Sequence, residues 1–503
     1  MSGSGSEDKV RNGARTLVSA FLIILLVYAT VRLVIAARVE PLWYDEILTR
    51  LIAGQNSLAG TMRAVIDRTD SHTVLFYLIE HYSLRLFRNE EFALRLPSVV
   101  AFGVTLICVF VYARRRWTAG EALACAACLL ATAAFQKYAA EARAYGLLLA
   151  CFAVAMVCYD RVPSKGWTIG LAVSLLSAGA IHYYAIFSVL PFAFAEATHA
   201  WMKRVVRWGV WAAIACAVVP LAATWRFLAT LRGTYGAHFW AHSGLNALPT
   251  MYGDLLLAGP IVGSVNAVIL LAVLGRDVFL CWKLKRPESD TLDGVLRASL
   301  LLLPMIAFSA AVMLHGPVLA RYVIPTILGM VLATGSFRVA PKGINVIVFA
   351  FLAFHAVISE TIFWSTVQSK FATTPMAKIE SLIQEAGHKE LPVVVAQGLI
   401  FLPLERYSST QLRPRLIYVV DVNKAIECLG TDSIDENLTR LRRYSPISAV
   451  DFQDFTRSHS EFLLYTRELE PNFDWLSPYL AKTARSVEVL REDANGKVFH
   501  VRM

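Results

Sequence analysis

The clearest signal along the chain is a recurrence of apolar stretches about 20 residues long, the length a helix needs to cross a bilayer. The first covers 17–37. It is too long for a signal h-region, contains Arg32 and is followed by no small-residue cleavage site, so it reads as a retained anchor. Further stretches predict spans at 93–113, 119–135, 146–160, 167–183, 184–201, 208–228, 259–282, 296–314, 318–337 and 344–364. That makes about eleven. Between the first two lies a long polar connector, 38–92, with an apolar run at 74–79 that is too short to span and suits a helix lying along the interface. Beyond residue 364 the pattern changes. Segments 391–396, 416–421, 461–466, 486–490 and 498–501 read as short strands, with helical patterns at 375–386 and 434–443. The expected architecture is a polytopic α-helical membrane protein, 1–364 with the large loop 38–92, followed by a soluble α/β domain, 365–503.

Composition agrees. Of 503 residues 56% are hydrophobic and only 17% charged, too little polar surface for an ordinary soluble enzyme. The net charge of +10 is unevenly placed: residues 365–503 hold 17 basic and 18 acidic side chains, leaving 31 and 20 in 1–364. A nucleic-acid binder would concentrate its basic excess in a soluble part. Within 1–364 alternate connections are basic: Arg114 to Arg116, Arg161 with Lys165, Lys203 with Arg204 and Arg207, Lys283 with Lys285 and Arg286, Arg338 with Lys342. By the positive-inside rule these lie in the cytoplasm with the N-terminus. An odd span count then puts 38–92 and 365–503 on the outer face. Seven of the eight cysteines fall in apolar spans and act as small hydrophobes, and Cys428 stands alone.

The polar groups of the membrane half gather on that outer side. Trp43-Tyr44-Asp45-Glu46 puts two carboxylates behind two rings at the end of the first span, where Trp and Tyr favour the headgroup level. Solvated loop acids at an aromatic belt would look the same. In an extended segment only one of the two acids faces a given centre. Asp70-Ser71-His72 precedes the run 74–79 and would also serve as a helix N-cap. Gln136 through Tyr145 leads into a span; if helical, Tyr138, Glu141 and Tyr145 share a face and Arg143 points elsewhere. His182-Tyr183-Tyr184 and His315-Gly316-Pro317 with Arg321-Tyr322 fall at two further outer turns. Ionisable groups at the mouth of a bundle are expensive and tend to line a polar cavity.

Taken in order, these segments resemble the bacterial relatives of the dolichyl-phosphate-mannose protein mannosyltransferases, glycosyltransferase family 39, in the larger GT-C class of polytopic enzymes. The resemblance rests on Trp43 to Glu46, Asp70-Ser71-His72 before Phe76-Tyr77-Leu78, Glu91 to Ser98, Tyr138 to Tyr145, His182 to Ala185, and Arg321-Tyr322 with Pro325, over about residues 15–340. Relatives usually have His-Pro-Pro where this chain has His72-Thr73-Val74.

The resemblance implies transfer of a hexose or pentose from a polyprenyl-phosphate carrier to an acceptor hydroxyl on a protein, lipid or glycan, with inversion, at the outer face of a bacterial plasma membrane. Asp45 is then the catalytic base, supported by Glu46, since a poorly nucleophilic hydroxyl needs a carboxylate to take its proton. Asp70, His72, Tyr138, Glu141, Arg143, His182, Tyr183, Arg321 and Tyr322 are the candidate substrate-binding residues. Arg143 and Arg321 would hold the leaving phosphate. The donors of Asp45, Asp70 and His72 suit a divalent metal, though no spacing demands one. The rival readings are a transporter or flippase of lipid-linked sugars, which would place its ionisable groups near the midplane on interrupted helices, and a scaffold displaying the outer domain.

Overall fold

The computed structural model describes all residues except 1–3, 236–237, 242–243, 245, 256–258, 285–286, 315, 335–353, 355, 359, 366, 369–374 and 470–471. His315, Arg338, Lys342 and most of the span at 344–364 therefore lie outside the described residues. The chain divides into two compact units that do not follow chain order: 1–37, 95–225 and 243–364 form one, and 38–94, 226–242 and 365–503 the other. The loop 38–92 thus belongs with the C-terminal module.

The first unit is helical. Among the described residues, Thr16–Val39, Glu90–Arg114 and Pro260–Lys283 are each long and apolar enough to cross a membrane, and Glu288–Leu301 with Leu303–Leu314 forms a pair bent by 50°. Tyr145–Tyr159 and Lys165–Ile181 are shorter apolar helices close to the expected 146–160 and 167–183. The stretch expected as one span at 119–135 is broken: Ala119–Leu130 ends at Ala131, and Thr132 caps a new helix, Ala133–Tyr138, by accepting the Phe135 N–H. The stretch 208–228 likewise becomes Trp208–Ala215, Val218–Ala223 and the start of Trp225–Tyr235. Continuous hydropathy reports the apolar environment and is blind to such breaks.

Charges inside this unit are met by partners. Arg32, 2% exposed within the first span, binds Glu360 at 2.9 Å and lies 3.8 Å from the Phe363 ring centroid. Arg297 pairs with Asp293 at 2.6 Å, and Asp293 also accepts from Tyr112 (2.5 Å) and Arg116 (2.8 Å). Arg116 reaches Asp160 at 2.5 Å, and Arg207 binds the fully buried Glu196 through two contacts of 2.5 and 3.0 Å. A cavity of about 200 Å³ opens beside these residues, with His199 and Glu288 on its wall. Part of the basic excess in the turns at 114–116 and 203–207 is therefore matched by buried acids.

The second unit is built on a six-stranded sheet in the order β3-β2-β1-β4-β6-β5, with β1 Val393–Val395, β2 Leu416–Val420, β3 Ala449–Asp451, β4 Glu461–Thr466, β5 Ser486–Asp493 and β6 Gly496–Arg502. The pairs β1–β2, β2–β3 and β1–β4 are parallel, while β4–β6 and β5–β6 are antiparallel. Parallel neighbours need crossovers, supplied by Gly398–Tyr407, Val422–Leu429 and other short helices. The centre of the sheet reads as unbroken apolar residues because helices cover it. Val394, Val419, Phe462, Leu464, Trp475 and Val501 form its core.

Among the glycines of the first unit, Gly179 has the closest neighbour. A Cβ added there would stand 2.2 Å from the Ala217 carbonyl oxygen, at the break between Trp208–Ala215 and Val218–Ala223. Gly179→Ala should therefore cost about 1–3 kcal/mol by overpacking, measured as a lower unfolding temperature in detergent, whereas Gly166→Ala, where nothing lies within 4 Å, should not.

Candidate functional site

The candidate residues fall in both units, and each group is described by itself. In the second unit the chain leaves the first span through Pro41 and turns into the helix Tyr44–Ala53. Asp45 and Glu46 are consequently in a first helical turn, not in the extended segment expected from sequence. Trp43 is the N-cap. Its N–H donates to the Glu46 carboxylate at 3.3 Å, so Glu46, 1% exposed, is engaged as the acid of a capping box. Asp45 is half-buried and its carbonyl accepts from Thr49 at 3.0 Å. A helical turn rotates successive side chains by roughly 100°, so the separation of the two acids follows from helix geometry and from the capping duty of Glu46.

Asp70 does not cap the following helix. That role falls to Thr73, before Val74–Leu86. Asp70, 5% exposed, instead accepts from the Ser71 N–H at 2.6 Å and from the Tyr77 hydroxyl, and faces His72 Nδ1 at 3.4 Å. A helix is present over the short apolar run, and Tyr77, the hydroxyl inside that run, is a partner that hydropathy alone hid. Among the described residues no three His, Cys, Asp or Glu side chains gather as a metal-binding group, Asp45, Asp70 and His72 included.

Glu80, on the same helix, was not a sequence candidate. It is fully buried, and neither carboxylate oxygen has a hydrogen-bond partner among the described residues. Burial first, and the nearby Glu46 charge second, push its carboxyl well above the usual glutamate range.

In the first unit, four sequence-distant segments meet. The helix ends at Tyr138 and restarts at Tyr145, so the shared face inferred for a continuous helix does not exist; the rings nonetheless meet edge-on, with centroids 5.4 Å apart. The connecting turn is held by Ser98, whose hydroxyl donates to the Glu141 carbonyl at 2.6 Å and lies 3.3 Å from that of Arg143. Glu141 and Arg143 are both buried. His182, at the end of Lys165–Ile181, stacks on Tyr183 at 4.9 Å and lies within 6 Å of Tyr145, Tyr184 and Tyr322. Its Nδ1 accepts the Tyr184 N–H at 3.2 Å, which leaves the proton on Nε2 in the neutral ring. Tyr184 stacks on Tyr322 at 4.3 Å. The Arg321 guanidinium, on the short turn Ala320–Val323, sits 5.6 Å from the Tyr145 centroid and 5.9 Å from that of Tyr322. Arg143 and Arg321 both act electrostatically on the Tyr145 hydroxyl.

The structure thus brings together Tyr138, Glu141, Arg143, His182, Tyr183, Arg321 and Tyr322 within the first unit. It adds Tyr145 and Tyr184, which sit inside the same motifs. An aromatic cup around guanidinium groups can hold a phosphate by charge-assisted hydrogen bonds and offer ring faces to a sugar or lipid chain.

Residues 71–225 match the family described as dolichyl-phosphate-mannose-protein mannosyltransferase. That segment includes His72, Tyr138 to Tyr145, His182 and Tyr183, and stops short of Asp45 and Arg321 on either side. No curated protein sequence matches. Among solved structures, the chain is similar to ArnT from Cupriavidus metallidurans in the apo state, with a TM-score of 0.59 and 14% identity over 97% of this chain and 98% of that one. It is also similar to the same protein bound to undecaprenyl phosphate, with a TM-score of 0.55 and 13% identity over 95% and 97%. The family match thus falls within the stretch over which the motifs resemble that family, and the fold is shared with ArnT over nearly the full length of both chains.

Because burial raises the Glu80 carboxyl above its unfolded value, the protonated form favours the folded chain, and this contribution is fully present below the ordinary glutamate pKa. That contribution is lost as pH rises from there towards the raised folded value, at up to about 1.4 kcal/mol per pH unit. Glu80→Gln mimics the neutral acid. Its unfolding temperature should exceed wild type at pH 8 and match it near pH 4; parallel pH curves would show that Glu80 is not buried neutral.

Proposed function

We propose that this protein is a membrane glycosyltransferase that moves a sugar from a polyprenyl-phosphate donor to an acceptor hydroxyl, with inversion, at the outer face of a plasma membrane. The observation that carries this reading is the convergence of Arg143 and Arg321 with Tyr138, Tyr145, His182, Tyr184 and Tyr322 in one cup. It is supported by the family match over 71–225 and by a fold shared with a protein whose structure holds undecaprenyl phosphate.

In this mechanism the acceptor oxygen attacks the anomeric carbon from the face opposite the phosphate. The new C–O bond forms as the bond to the phosphate oxygen breaks. The proton of the acceptor hydroxyl passes to Asp45, and polyprenyl phosphate leaves with the bonding pair. Arg143 and Arg321 neutralise the charge that accumulates there, a role in which planar bidentate donors are effective. Glu46 fixes the helix turn on which Asp45 stands. Asp70, tied to Tyr77, Ser71 and His72, is assigned to substrate binding. A single displacement needs one base, unlike the two-carboxylate route of retaining sugar chemistry.

The transporter reading is less well supported by the acids buried in the bundle. Asp293 meets Arg297, Arg116 and Tyr112, and Glu196 meets Arg207. Such saturated pairs offer little to a passing substrate. An assay of the purified protein with labelled polyprenyl-phosphate sugars separates the readings, since only an enzyme changes the covalent structure of an acceptor.

In that assay Asp45→Asn should lower turnover by roughly 10²–10⁴ at saturating substrates with protein abundance unchanged, and Glu46→Gln should act more mildly. Near-normal turnover of Asp45→Asn would move the base elsewhere. Arg321→Gln and Arg143→Gln should each raise the donor KM and lower kcat/KM; if both used donor normally, the phosphate site lies outside the cup. Cysteines placed at exposed positions in 365–503 should react with impermeant reagent in intact cells, and their protection would refute an outer-face module.

A further inference from the structure

The loop 38–92 carries the proposed base, and both of its ends meet at one side chain of the C-terminal module. Tyr407, the last residue of the helix Gly398–Tyr407, accepts the backbone N–H of Leu42 at 2.8 Å. The same hydroxyl donates to Glu91 at 3.1 Å. Leu42 lies three residues before Asp45, and Glu91 lies at the start of Glu90–Arg114, where the loop ends. Arg406, next to Tyr407, completes the tie by binding Glu90 at 3.0 Å and Glu91 at 2.8 Å, and Arg50 holds Glu90 at 3.1 Å from within the loop.

The entry to the Asp45 helix has two successive amides fixed by side chains. The Trp43 N–H is satisfied locally by Glu46, whereas the Leu42 N–H depends on a residue 365 positions away. Leu42 is 1% exposed and Tyr44 2%, so neither end of Trp43 can drift into solvent without breaking packing. A buried amide that loses its acceptor is costly, and the segment would relax to find another. A displacement of about 1 Å in a reacting group is enough to cost up to roughly 100-fold in rate.

We infer that Tyr407 is a positioning residue for the transfer reaction: by holding Leu42 and Glu91 together it sets where Asp45 stands. The inference rests on the reading of Asp45 as the base. It gives the C-terminal module a part in catalysis without any contact to substrate, through a loop that belongs to its own compact unit.

The test uses the full chain and Tyr407→Phe, which removes a single oxygen. Turnover should fall about 10-fold or more with the donor KM within about twofold of wild type, and amide exchange across 42–45 should quicken. In an Asp45→Asn background Tyr407→Phe should have no further effect on turnover, because the two act through the same group. Normal kcat in Tyr407→Phe, a loss that appears wholly in KM, or full additivity with Asp45→Asn would each overturn the proposal. If Asp45→Asn alone is near-normal, the base assignment fails. Tyr407 then remains the positioning residue of the loop only if Tyr407→Phe still lowers kcat and loosens 42–45. Should Tyr407→Phe not accumulate, wild-type exchange decides: protection of Leu42 comparable to Ile47 supports the tie, and free exchange at Leu42 refutes it.

Discussion

A charge taken out of water must find an opposite charge, a hydrogen bond or a proton, and the arrangement of this protein follows from how each buried ionisable group meets that demand. Inside the helical unit the solution is pairing. Arg32 can sit within the first span because Glu360 and the Phe363 ring receive it. Glu196 can be fully buried because Arg207 grips both its oxygens. Asp293 gathers a tyrosine and two arginines. The pairing of Arg32 with Glu360 and of Asp293 with Tyr112 and Arg116 links helices distant in sequence, so these contacts also fix which helices are neighbours. In the loop unit the same demand pushes the Glu80 carboxyl well above the usual glutamate range and favours its neutral form.

The candidate cup follows the same rule with a different outcome. Arg321 is half-buried among the Tyr145 and Tyr322 rings, and their negative faces offset part of its desolvation without neutralising it. The rings of the cup thus do for this guanidinium part of what carboxylates do for the buried arginines elsewhere.

What was legible in the sequence was whatever depends on local pattern. The helix over 90–114 lies within a few residues of the hydropathy run at 93–113. Four of the five expected strands correspond closely to β2, β4, β5 and β6, and the fifth shrinks to β1. β3 was missed because three residues, Ala449 to Asp451, carry too little alternation to register. The Asp45 turn was misread because Trp-Tyr-Asp-Glu looks extended until Glu46 is seen to reach back to the Trp43 N–H. The shared helical face of Tyr138, Glu141 and Tyr145 does not exist, and the two rings meet because a break between two helices brings them together. Glu80 and Tyr407 left no trace in the pattern. Nothing in a single sequence marks a lone acid in an amphipathic helix as buried, or ties residue 407 to residues 42 and 91.

The last of these points bears on why a small α/β module should accompany a helical membrane unit. A polar loop of some fifty residues between two spans pays a large conformational entropy if left free, and a base carried on it would sample many positions. Local capping fixes only the turn that bears Asp45, not where that turn lies. Fixing its place requires contacts to something rigid, and a sheet with a packed apolar core is rigid. The helix Gly398–Tyr407 rests on that sheet and presents Arg406 and Tyr407 at its end, while Tyr444 and Arg440 of the same module hold Asp67 further along the loop. Three points of attachment, near residues 42, 67 and 91, are enough to orient the loop as a body. Because Tyr407 and Arg406 act on backbone and carboxylate groups, the attachment does not depend on the identity of the exposed ring at Trp43.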